Sequence, residues 1–134
     1  MRRQTLGTVL GVALGAALVF AAVAMAATML GTQGNDNITG SGGPDKIIAK
    51  KGNDTVNALG GDDRVSGGRG TDTLNGDDGN DFLNGGKDAD TNTINGGDGD
   101  DFVFSRGDGN KADNVDCGGG TNDTVRADKN DALV

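Results

Sequence analysis

From Ile38 onward a single apolar residue keeps returning in an otherwise polar chain: Ile38, Ile47, Val56, Val65, Leu74, Leu83, Ile94, Val103, Val115 and Val125. The first six stand nine residues apart, and the later steps are 11, 9, 12 and 10. Two positions before each stand Asp36, Asp45, Asp54, Asp63, Asp72, Asp81, Asn92, Asp101, Asp113 and Asp123. Four positions before stand Gly34, Gly43, Gly52, Gly61, Gly70 and Gly79, then Asp90, Gly99, Lys111 and Thr121. A period near nine is the signature of a solenoid. Three residues centred on the apolar one make a minimal strand, whose alternation sends the middle side chain inward and its neighbours outward. The remaining six, rich in glycine and aspartate, make a turn. Two such units close one coil of a flattened helix. The expected fold is therefore all-β: two parallel sheets with the apolar column between them, and unit n lying over unit n+2.

Stacking changes what the aspartates are for. It brings the carboxylate of one turn over the turn of the next coil, where carbonyls and two aspartates make an all-oxygen pocket suited to a hard divalent cation. Calcium accepts such irregular, oxygen-rich surroundings better than magnesium, and zinc lacks its usual histidine and cysteine ligands here. Solvation of the surface is the simpler use of a charge run. Against it, all 20 acidic residues are aspartate, and nine of the ten units place one two positions before the apolar residue. Asp62, Asp77, Asp78 and Asp100 fall off register and are expected to serve solvation only.

The units "GGRGTDTLN", "GDDGNDFLN" and "GGDGDDFVF" resemble the nonapeptide of the RTX, or haemolysin-type, calcium-binding repeats, over about residues 31 to 126. The resemblance implies a right-handed parallel β-roll with calcium in its turns, folding when the ion binds outside the cell. It implies Asp36, Asp45, Asp54, Asp63, Asp72, Asp81 and Asp101 as ligands, with the backbone of Gly34, Gly43, Gly52, Gly61, Gly70, Gly79 and Gly99. Asp90, Asn92, Asp113 and Asp123 belong to degenerate units and match the motif less well. Ala49-Lys50 and Ala58-Leu59 replace the leading glycines of two units, which puts those turns in question. The seventh unit has two extra residues and Asn92 in place of aspartate, so the stack is expected to be interrupted there.

Residues 1–26 read differently. Arg2 and Arg3, an apolar run without charge from Leu6 to Leu30, and Ala24-Met25-Ala26 predict a signal helix with a processing site, or an anchor if it is not cleaved. Domain organisation then reads as signal at 1–26, repeat array at 27–126, and tail or cap at 127–134. Cleavage leaves ten cations against 20 aspartates, a balance that argues against nucleic acid and anionic membrane surfaces as partners. The secreted or cell-surface segment has only 18 Leu, Ile, Val and Phe, too few to order it through burial alone. Coordination of calcium would supply the difference. Cys117 is alone, so no intrachain disulfide helps. Without His, Glu, Tyr or Trp the usual general acids and bases reduce to Asp and Lys, so an enzyme is not expected. A second expectation is a scaffold that self-associates through outward-facing Phe82, Phe102 and Phe104 or through the solenoid ends. The Arg106-Gly107-Asp108 tripeptide is attributed to chance in so Gly/Asp-rich a chain.

Overall fold

The structure is a computed structural model that describes residues 9–10, 26–87, 89–107 and 111–134. One sheet contains β1 (Val9–Leu10), β2 (Thr28–Leu30), β4 (Lys46–Lys51), β6 (Arg64–Arg69), β8 (Phe82–Gly86), β10 (Phe102–Ser105) and β12 (Thr124–Ala127), side by side in that order. The other contains β3 (Asn37–Thr39), β5 (Thr55–Asn57), β7 (Thr73–Asp78), β9 (Thr93–Asp98), β11 (Asn114–Asp116) and β13 (Ala132–Leu133). All pairings are parallel, and from β2 onward the chain alternates between sheets at every turn. This is the two-sheet parallel solenoid that the nine-residue rhythm predicts.

Register follows the apolar column. Met29, Ile47, Val65, Leu83, Val103 and Val125 face one another rung by rung in the seven-stranded sheet. Ile38, Val56, Leu74, Ile94, Val115 and Leu133 do so in the six-stranded sheet. Ile47, Val56, Leu74, Leu83, Ile94, Val103 and Val115 are fully buried, so one thin apolar seam is the core. The seam extends past the ten positions given by the repeat, to Met29 at one end and Leu133 at the other. Ala132–Leu133 thus adds a strand to the six-stranded sheet.

Three expectations change. The N-terminal helix is not supported. Of residues 1–26 only Val9–Leu10 and Ala26 are described, and Val9–Leu10 is a strand parallel to Met29-Leu30. The edge of β2 offers unpaired backbone groups that an extended segment can satisfy. Second, the stack is not interrupted at the seventh unit. Ile94 pairs with Leu74 in register, and the two extra residues are taken up in the loop between β8 and β9. A loop of slightly greater length costs little entropy to close. Third, the turns that lack leading glycines still form, with Lys50 and Leu59 in the left-handed region at φ 89° and 81°. There the Lys50 ammonium donates to the carbonyl of Gly31 at 2.6 Å.

The outward faces differ. On the six-stranded sheet they are mostly threonine and asparagine, and the Asn75 amide donates to Asn57 Oδ1 at 2.6 Å. On the other sheet Phe82 and Phe102 stack in parallel, with centroids 5.3 Å apart. Arg64 lies 5.1 Å over the first ring and Arg126 5.6 Å over the second, so both rings are half-buried beneath guanidinium groups.

Candidate metal centre

From Asp45 onward the in-register acids reach back one coil. Oδ1 of Asp54 accepts the backbone N–H of Asp36 at 2.8 Å, and Oδ1 of Asp63 that of Asp45 at 2.6 Å. The pattern continues from Asp54 to Asp72, Asp63 to Asp81, Asp72 to Asn92 and Asp81 to Asp101. It runs on from Asn92 to Asp113, Asp101 to Asp123 and Asp113 to Asp131. Two ladders result, one along each edge of the seam. Each rung satisfies a backbone donor beside the apolar core, which would otherwise be left without water or partner.

Only one carboxylate oxygen is consumed in this way. Oδ2 of Asp54, Asp63, Asp81 and Asp101 is buried with no hydrogen-bond partner, and each of these residues is at most 2% exposed. A charged oxygen in that position is costly unless something positive meets it. Burial accordingly pushes the Asp63 carboxyl up to about 7 and that of Asp81 up to about 6. Burial raises Asp54 and Asp101 as well. Neighbouring aspartates add to the effect in all four, and the ladder bond opposes it.

Local backbone geometry explains how the oxygens come to lie there. Gly76 sits where a Cβ would run into Asp81 Oδ2 and the carbonyl of Gly96, so only glycine lets the carboxylate fold back over its own turn. Gly52, Gly61, Gly70, Gly79 and Gly99 take left-handed φ values between 104° and 135°. Gly34 and Gly43 do not share this conformation. In their turns the second carboxylate oxygen is already occupied: Thr32 N–H donates to Asp36 Oδ2 and Ser41 N–H to Asp45 Oδ2, both at 2.6 Å. The first coil is therefore closed on itself, whereas Asp54, Asp63, Asp81 and Asp101 keep an oxygen open.

The structure brings all seven principal aspartates onto the ladders, and Asn92, Asp113 and Asp123 onto the same rungs. Asp90 is not on them, because Asn92 takes that place and Asp90 falls in the enlarged loop. Asp131 was missed by the sequence reading, although Asp131-x-Leu133 repeats the spacing of the other units. The off-register Asp62, Asp78 and Asp100 are exposed, and Asp77 is half-buried. Cys117 is a free, half-buried thiol whose pKa burial pushes up.

Among the described residues no three Asp, Glu, His or Cys side chains converge. A cation here would thus meet one or two carboxylates and otherwise backbone carbonyls. That donor set consists of hard oxygens only, and the buried unpartnered Oδ2 atoms supply negative charge without a counter-ion. Both features fit calcium and suit soft-metal chemistry poorly.

A family model described as the RTX calcium-binding nonapeptide repeat matches the chain in four copies, over residues 30–65, 57–91 and 92–111. No curated protein and no solved structure matches it.

Proposed function

We propose, from the premise that this chain belongs to the RTX calcium-binding nonapeptide repeat family, that it is an exported calcium-binding roll whose folding depends on the ion. Calcium is the ion that these repeats bind. The ligand set we assign is Asp36, Asp45, Asp54, Asp63, Asp72, Asp81 and Asp101, with carbonyls of the glycine-led turns. Within it Asp54, Asp63, Asp81 and Asp101 are the strongest candidates, because their second oxygens are buried and unpartnered. That single observation carries the reading. Bound calcium supplies two positive charges where the fold has gathered desolvated carboxylates. The chain itself orients those carboxylates through the ladder and the left-handed glycines, and its turns hold water away.

Folding and binding are then one event, since the seam alone is too thin to order the chain. No residue is assigned a catalytic role. Titrating the full chain with calcium, while following β-structure by circular dichroism and bound ions by calorimetry, tests the proposal. We expect a cooperative gain of β signal at ~10⁻⁴–10⁻³ M, typical of extracellular modules, reversed by chelator. A flat spectrum up to tens of millimolar overturns it.

The scaffold reading keeps one supporting observation. Leu133 and Val134 are 58% and 88% exposed, an apolar pair that a second molecule would cover.

A further inference from the structure

All ten lysines and arginines after Arg3 lie in the seven-stranded sheet or in the turns that leave it. The turns leaving the six-stranded sheet hold none, and instead expose Asp62, Asp78, Asp98 and Asp100. A chain of net charge −8 has thus confined its cations to one edge, while its aspartates stand on both. On the basic edge, Lys51, Arg69 and Lys87 stand on successive coils, as the pairings Lys51–Arg69 and Gly68–Gly86 show. They are exposed and make no ion pair among the described residues, where Arg106–Asp128 at 3.9 Å is the one found. They border an open groove of ≈ 590 Å³, lined also by Gln33 and Lys50 and, among the described residues, by no carboxylate. On the acidic edge, Asp78 pairs with Asp98 in register, and Asp62, Asn80 and Asp100 form a column through Asn80 N–H to Asp62 and Asp100 N–H to Asn80.

Both edges belong to the same coils and therefore share one spacing, ~4.8 Å per strand. Two copies lying side by side can match cation to anion over several coils at once. A single exposed ion pair contributes ~0–1 kcal/mol, but a rigid edge engages its pairs together, so the second and third cost little further entropy. We propose that copies of this chain associate edge to edge, the basic edge of one against the acidic edge of the next. Such a contact is heterologous: every added copy leaves one basic and one acidic edge free, so association gives open rows rather than a closed dimer.

The proposal goes beyond calcium binding, and circular dichroism on the same samples separates failure to fold from failure to associate. Sedimentation of the full chain in calcium should show large species at low salt that dissolve near 1 M salt, where the screening length falls to ~3 Å. Lys51→Glu/Arg69→Glu reverses the charge at two coils of the basic edge, and Asp78→Lys/Asp98→Lys does so at two coils of the acidic edge. Each variant alone should fold normally and associate at least ~10-fold more weakly, a loss within the reach of like-charge juxtaposition. Mixed one to one, they should associate again in alternating rows. A wild-type monomer at low salt overturns the proposal. So does association unmoved by salt and by both reversals, which would assign the contact to the phenylalanines or to Leu133 and Val134.

Discussion

Asp81 Oδ1 holds the backbone N–H of Asp63 at 2.8 Å across one full coil, while the second oxygens of both residues stay buried without a hydrogen-bond partner. One side chain therefore has two separable tasks, a structural bond and an open charge. Asn92 already performs the first without the second, since its Oδ1 accepts the N–H of Asp72. Asp81→Asn should keep the ladder and lower the number of bound ions. Asp81→Ala should lose both and leave the Asp63 N–H buried and unpaired, at ~1–3 kcal/mol. Ion stoichiometry by calorimetry and urea unfolding at saturating calcium separate the two variants; equal unfolding midpoints would count against the ladder.

Acid should help the calcium-free chain and hinder calcium. Burial raises the carboxyls of Asp63 to about 7 and Asp81 to about 6 in the folded state, against ~3.9 for an unfolded aspartate. Protons are thus bound more tightly when folded, so this contribution to stability is fully present below about pH 4 and lost as pH rises through 6 to 7. In chelator, β signal at pH 5 should exceed that at pH 8. The midpoint of the calcium titration should move to higher calcium as pH falls from 7.5 to 5, because protons and the ion compete for the same oxygens. Circular dichroism at the two pH values decides; no shift in either series refutes the idea.

Leu83 is fully buried between Val65 and Val103, whereas Val125 is only partly buried near the end of the same column. Leu83→Ala should destabilise the calcium-loaded chain by ~2–5 kcal/mol. Val125→Ala should cost clearly less, since a terminal coil has one neighbour to lose. Thermal unfolding in saturating calcium measures both.

Leu59 carries a left-handed backbone to which its side chain contributes nothing visible. It sits at φ 81° and is 41% exposed. Left-handed backbone costs an ordinary residue ~1–2 kcal/mol, so Leu59→Gly should stabilise the chain by about 1 kcal/mol, read as a higher urea midpoint. Lys50 shares the conformation but also bonds Gly31, so Lys50→Gly should show a smaller gain or none.

The interval between apolar residues announced the two sheets, the seam and the aspartate ladders, because a fixed repeat leaves stacking little freedom. Its ends were less legible. Met29 follows Ala27 rather than an aspartate, and Asp131 comes after a step one residue short, so neither matched the motif although both joined the stack. The seventh unit misled for a related reason: its anomaly lies in a loop, and register is set by the strands. Which second oxygens stay open could not be read from the motif at all. That depends on whether the turn N–H points inward, as at Thr32 and Ser41, or follows the left-handed path seen at Lys50 and Leu59.

The ladder also has a direction. Each aspartate N–H finds its acceptor 18 to 22 residues later in the chain, never earlier. A polypeptide emerging N-terminus first, from a ribosome or a narrow pore, thus cannot close any coil until the next one has followed it out. The coils must lock in sequence behind the leading end, like the teeth of a zip, and a stalled chain would always be left with its last loop unfastened.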